Sequence, residues 1–170
     1  MGLLNLFKSK NDNNYFKYVE ELPKNLNAAV ENTIILAPKL LKIKSKKGKS
    51  IAKEIYEIVN KILETDQLPD GYSTIDDVAV DLGIYYGYAI CEHYKWSWKA
   101  VKNIKNVDGI VSIVSPGENY SMQPMNYMLK ILTKNNIGLN GENDNTILLL
   151  FNMLEDIDNK PTEKKFTPIF

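Results

Sequence analysis

The chain has 170 residues, 44% apolar and 25% charged, which suits one folded domain and excludes wholesale disorder. Its 21 basic and 21 acidic residues cancel, so no net field selects nucleic acid or an acidic partner. Every basic residue is lysine. Without arginine's planar fork, sequence-specific DNA binding and arginine-dependent phosphoryl transfer are disfavoured.

Cys91 is the one cysteine, so an internal disulfide is impossible and a cysteine-based metal cluster is disfavoured. Residues 1–8 lack the apolar core of a signal peptide, and Leu6 stands where a myristoylation motif expects Ser or Thr. No run reaches the roughly 18 apolar residues of a membrane span. The expectation is a cytoplasmic protein with no transmembrane segment.

In chain order, residues 1–22 read as a flexible leader whose Leu3, Leu4, Leu6 and Phe7 dock on the body or on a partner. Residues 23–44 read as helix, ended or kinked near Pro38, whose ring and missing N–H oppose continuation. The run Ile34-Ile35-Leu36 leaves a short strand over 33–37 as the other reading, because periodicity does not separate the two. Residues 50–64 place Ile51, Ile55, Ile58, Val59, Ile62 and Leu63 on one helical stripe, with Ser50 as N-cap and Gly48 as the break before it. Pro69-Asp70-Gly71 marks a loop over 66–73.

A third helix starts at Ser73 or Thr74, with Asp76 and Asp77 favouring its positive end. Its inner face carries Ile75, Val78, Ala79, Leu82, Tyr85, Tyr86, Ala89 and Ile90. Gly83 and Gly87 lie four apart and so share a side. Each costs about 1 kcal/mol of helix propensity relative to alanine, a loss offset if another element approaches closely. This helix should be central.

Residues 96–102 alternate as a strand with Trp96 and Trp98 on one face, Val107-Asp108-Gly109 turns, and 110–114 return as the partner strand. Ser115-Pro116-Gly117-Glu118-Asn119 ends it. Pro124 opens a helix to about Asn135 with Met125, Met128, Leu129 and Leu132 inward. Residues 136–143 form a loop, and 145–157 a last helix that is apolar all round at 147–151 and so buried on most sides. The fold class is α+β, with about five helices around a small antiparallel hairpin or sheet. One domain spans 23–158, and 159–170 form a tail.

Leu82-Gly83-Ile84-Tyr85-Tyr86-Gly87, then Trp96 and Trp98, Val114-Ser115-Pro116, Tyr120 and Pro124, then Asn145-Thr146 and Leu150-Phe151-Asn152-Met153-Leu154 form an ordered set. It resembles small bacterial domains of unknown function with a Leu-Gly-x-Tyr-x-Gly helix before a Trp-containing hairpin. The resemblance covers roughly 75–155 and implies an α+β fold and bacterial origin. It transfers no catalytic residue, and Tyr88 stands where such relatives carry Glu after the second glycine.

Chemical candidates are sparse, and no cofactor is implied. Cys91 and His93 are two apart, splayed by about 200° on a helix, so a thiol–imidazole dyad requires the helix to end at Cys91. The alternative is a half-buried thiol and a helix-terminal imidazole. Glu64, Asp66, Asp70, Asp76, Asp77 and Asp81 lack calcium-loop spacing and read as a solvated face. Gly48-Lys49-Ser50 lacks the upstream glycine of a phosphate-binding loop.

Lys39, Lys42, Lys44, Lys46, Lys47, Lys49 and Lys53 run without an intervening acid. They read as a flexible solvated loop or as a contact for an acidic partner, nucleic acid or a membrane surface. The aromatics from Tyr85 to Trp98 read as core, or as a surface in which Tyr88, Tyr94 or Trp98 meets a partner. The first function expected is a non-enzymatic protein-binding or adaptor protein, such as an immunity-type inhibitor of a toxin. Tyr88, Tyr94, Trp98, Lys46, Lys47 and Lys49 are its contact residues, and another protein is its partner. The alternative is a small-ligand binder or enzyme with a pocket between the Gly83/Gly87 helix and the Trp96/Trp98 hairpin, containing several of Asp77, Asp81, Tyr85, His93 and Trp96.

Overall fold

A 20-residue helix, α3 (Ile75–Tyr94), is the element against which the other helices pack. The computed structural model describes residues 18–102, 109–134, 145–158, 160 and 165–169. Around α3 lie β1 (Tyr18–Glu20), α1 (Lys24–Leu40), α2 (Gly48–Thr65), β2 (Ser97–Lys102), β3 (Ile110–Val114), β4 (Tyr120–Met122), α4 (Pro124–Leu132), α5 (Ile147–Asp158) and β5 (Thr167–Pro168). The fold is α+β.

Thr74 caps α3: its hydroxyl oxygen accepts from the Asp77 N–H at 3.1 Å and its O–H donates to the Asp77 carboxylate at 2.7 Å. The expected inner face is buried except for Ile75, which lies at the exposed first turn. Gly83 and Gly87 do admit other elements. A Cβ at 83 would lie 2.5 Å from Met125 Cα, and one at 87 would lie 2.5 Å from the six-membered ring of Trp98. The first turn of α4 and the indole of β2 thus occupy the side of α3 that carries no side chains.

The sheet has the order β1-β2-β3-β4-β5, antiparallel except for the parallel β4–β5 pair. In register, Val19 faces Val101, Val101 faces Ile110, and Val114 faces Ser121. All five residues of β3 are buried, as a nearly unbroken apolar run predicts. Trp98, Ala100 and Val111 pack towards the helices, whereas Val101, Ile110, Val114 and Phe166 form a second cluster with Val19. Lys99 and Lys102 of β2 pair with Glu21 and Glu20 beside β1.

Several expectations change in the tertiary structure. The sheet begins at Tyr18, inside the stretch read as a leader, and residues 1–17 lie outside the described residues. Of the expected hairpin or sheet the structure has the sheet: β1, β4 and β5 extend the β2–β3 hairpin to five strands, and the parallel β4–β5 pair makes it mixed rather than wholly antiparallel. Segment 33–37 is helix, and α1 runs two residues past Pro38, which sits in its last turn. Helix α2 starts at Gly48 rather than after Ser50, with extended Lys47 before it, and Gly48 is where α2 meets α3, since a Cβ there would strike the Ala89 carbonyl and His93. Helix α4 stops at Leu132, and Leu149 and Met153 of α5 are exposed. Residues 103–108 and 135–144, which hold most of the expected hairpin turn and the 136–143 loop, lie outside the described residues.

Substituting Gly83→Ala should improve helix propensity by about 1 kcal/mol yet force the α4 backbone away, a net destabilisation of about 2 kcal/mol and a melting point lower by roughly 4–8 °C. Gly87→Ala, which meets a side chain, should cost less. Urea and thermal unfolding check this, and a Gly83→Ala protein as stable as the parent would contradict the packing account.

Candidate functional site

The lysine run lies on the α1–α2 connection, which is pinned rather than a loose coil. The Ile43 N–H donates to the Pro38 carbonyl at 2.8 Å, fixing the exit from α1. Glu54, two turns into α2, accepts from the Lys44 N–H at 2.8 Å and the Ser45 N–H at 2.9 Å, and also from the Ser45 hydroxyl. Burial alone would raise the Glu54 carboxyl, but the Ser45 hydroxyl and these two amides together hold it below its ordinary value. At the far end, Gly48 is buried against Ala89 and His93 of α3. Lys46 and Lys47 between these anchors and Lys49 in the first turn of α2 are exposed, and no ion pair reaches them among the described residues.

Tyr88 belongs to the same region. It precedes Ala89, against which Gly48 rests, and stacks on Tyr85 with centroids 5.6 Å apart and planes 24° apart. Burial first, then the neighbouring Tyr88 and Glu54, raises the Tyr85 phenol. Interactions therefore run from Tyr88 through Tyr85 to Glu54 and the Lys44–Ser45 backbone, after which the chain carries Lys46, Lys47 and Lys49.

Tyr94 and Trp98 sit elsewhere. The Tyr94 hydroxyl donates to the Phe151 carbonyl at 2.6 Å, tying α3 to α5. Trp98 lies over Gly87 and Pro124, half-buried, with its indole N–H enclosed and lacking an acceptor among the described residues. Tyr86 and Tyr127 are also structural. The former donates to the Ile147 carbonyl at 2.9 Å, and the latter shares a 2.7 Å hydrogen bond with Thr146.

The arrangement leaves the reactive groups apart. Helix α3 runs past Cys91 to Tyr94, so the Cys91 thiol and His93 imidazole diverge, and His93 lies edge-on to Tyr94 with centroids 4.6 Å apart. Burial, and secondarily Glu92, pushes the thiol up to about 12. Asp81 accepts from the Tyr72 hydroxyl at 2.7 Å. Burial raises its carboxyl against the effect of that hydrogen bond, and the charge of Asp77 adds to the rise. Among the described residues, no cluster of three or more His, Cys, Asp or Glu could hold a metal ion, and no helix is long and apolar enough to cross a membrane.

The Gly83/Gly87 notch is filled by Met125, Pro124 and Trp98. Asp77 and His93, expected to share a pocket there, stand about 24 Å apart along α3. A concavity opens instead between the C-terminal ends of α1 and α2 and the loop after α2. It has a volume of about 220 Å³ and is lined by Leu40, Leu41, Ile58, Ile62, Leu68 and Pro69, with Lys42, Lys61 and Asp70 at the same site. Sequence reasoning missed it. The run Ile34-Ile35-Leu36 signalled an exposed apolar face on α1, since three successive residues of a helix cannot all face inward, but none of the three lines the concavity.

Because the folded-state value of Glu54 is depressed, its contribution to loop order is present above the ordinary glutamate value of 4.5 and is lost as pH falls below it. The Lys44 and Ser45 amide resonances should titrate together in that acid range, and the transition should vanish in Glu54→Ala. Cys91 in the native protein should react with a disulfide reagent at pH 8 at least about tenfold more slowly than in urea, since thiolate is the reactive form. No family model, curated protein or solved structure matches the chain.

Proposed function

We propose that the protein is a non-enzymatic binder of an acidic protein, acting as an adaptor or as an immunity-type inhibitor of a bacterial toxin. The observation that carries this reading is the exposed set Lys46, Lys47 and Lys49, which no ion pair reaches among the described residues, beside a connection whose backbone Glu54 holds. Residues 32–53 contain seven lysines and no acid in a chain of zero net charge, so positive charge is segregated onto one stretch. Glu54 and Gly48 hold that stretch in place, which limits the ordering cost a partner would meet. An inhibitor of the immunity type needs only such a surface, because it covers its target and turns nothing over.

Tyr88 supplies the aromatic contact, a residue type that buries area at low entropic cost. The lysines supply steering and orientation.

Affinity capture from the native cells should yield one stoichiometric protein whose association slows with salt. Lys46→Glu/Lys47→Glu/Lys49→Glu should reduce the association rate by roughly tenfold or more while leaving the melting point unchanged. Equal capture by the parent and the triple variant, or capture of nucleic acid alone, would reject the reading.

A further inference from the structure

We infer that the concavity between α1 and α2 is a groove for an acidic amphipathic helix of the partner, which anchors an apolar side chain in the cavity; this rests on the protein-binding reading above. Leu36 and Leu40 lie four apart on one side of α1 and are 53% and 49% exposed, with Ile35 beside them at 58%, an apolar patch on a helix that buries only Val30 and Ala37. Leu40 also lines the cavity, so the exposed row runs directly into it. A volume of about 220 Å³ falls below the roughly 300–1,000 Å³ of drug-sized ligand pockets and suits a side-chain anchor. A row of apolar positions one helical turn apart, continuous with an anchor pocket, is the geometry with which a groove receives an amphipathic helix.

Charge selects the acidic class of occupant. Lys42 and Lys61 line the site and Lys39 stands exposed on α1 beside Leu40. Asp70 is the acid in the lining, and Lys42 pairs with it at 2.9 Å. Lys39 and Lys61 have no ion-pair partner among the described residues. From Lys42 the chain continues through exposed Lys44 to Lys46, Lys47 and Lys49, so the lysine surface follows the groove directly along the chain, with Glu57 and Glu64 flanking Lys61 on the α2 side. A recessed site of this kind favours a protruding side chain over a flat lipid surface.

The test uses the full chain with methyl-labelled Leu and Ile. Its probes are a synthetic 16-residue peptide with Leu at helical i, i+3, i+4 and i+7 spacing and Glu elsewhere, the same peptide with Lys for Glu, and phosphatidylglycerol vesicles. The acidic peptide should shift the methyl signals of Leu40, Ile58, Ile62 and Leu68, and the lysine peptide should not. Leu40→Asp should weaken binding by about tenfold or more, and Leu36→Asp, outside the cavity wall, should weaken it while preserving the fold. Lys61→Glu should weaken it by a few-fold and flatten its salt dependence.

Equal binding of both peptides, unmoved groove methyls, or a groove response to vesicles alone would overturn the inference. If the captured cellular partner depends on Lys46, Lys47 and Lys49 but binds Leu36→Asp and Leu40→Asp as the parent does, the groove inference falls and the protein-binding reading stands. If the acidic peptide fills the groove while the triple lysine variant captures the same proteins as the parent, the lysine-surface reading falls, and the inference survives only if Leu36→Asp and Leu40→Asp abolish that capture.

Discussion

The backbone-to-backbone approach of α3 and α4 at Gly83 sets the spacing on which the rest of the structure depends. Met125 sits where a side chain at 83 would be, and one turn further on Trp98 and Pro124 cover Gly87. Helix α4 is thereby drawn onto α3 more closely than ordinary side chains allow, and β2 is pulled in with it through the indole. The register of β2 with β1 and β3 then positions the whole sheet. Two glycines cost helix propensity in α3, and the tight interface they permit offsets that loss.

The same helix accounts for how the aromatic residues are used. Tyrosines 86 and 94 on α3 reach the carbonyls of Ile147 and Phe151, and Tyr127 on α4 reaches Thr146, so three phenols fasten the start of α5 to its neighbours. Asn145 adds to this by donating to the Tyr56 carbonyl and the Asn60 side chain. Hydroxyls that accept or donate inside the core are structural groups, and their loss would leave buried carbonyls unsatisfied. The aromatic density that makes the α3–β2 segment look like a recognition surface is therefore mostly committed inward. Tyr88 is the member left beside the lysines.

Charge is distributed to match. The positive stretch between Glu31 and Glu54 contains no acid, yet its backbone is ordered by the carboxylate of Glu54 at its end. One acid organises the loop through backbone N–H donors and a serine hydroxyl, and among the described residues it forms no ion pair with Lys46, Lys47 or Lys49. Surface ion pairs such as Lys42 with Asp70 are solvated and contribute little to stability. Their consequence is to orient the lysine at the edge of the α1–α2 concavity.

Periodicity, caps and breakers determined the helices because those signals act over one turn of chain. Thr74 as N-cap, Pro124 at the start of α4, the β3 apolar run and the glycine pair were all legible that way. The two- and three-residue strands β5 and β4 were not, since each is shorter than any detectable alternation. They exist because Phe166, Thr167 and Ile169 donate to carbonyls of Glu118, Asn119 and Ser121 more than forty positions away in sequence. The lysines were visible as a run, but their rigidity was not, since Glu54's acceptors become relevant only once α2 folds back on the loop. Which of Ile34, Ile35, Leu36 and Leu40 would face water, and that Leu40 would border a cavity, was likewise decided by where α2 and its following loop settle against α1. Local sequence determines the form of each element, and burial and charge at a surface depend on neighbours that only the folded chain brings together.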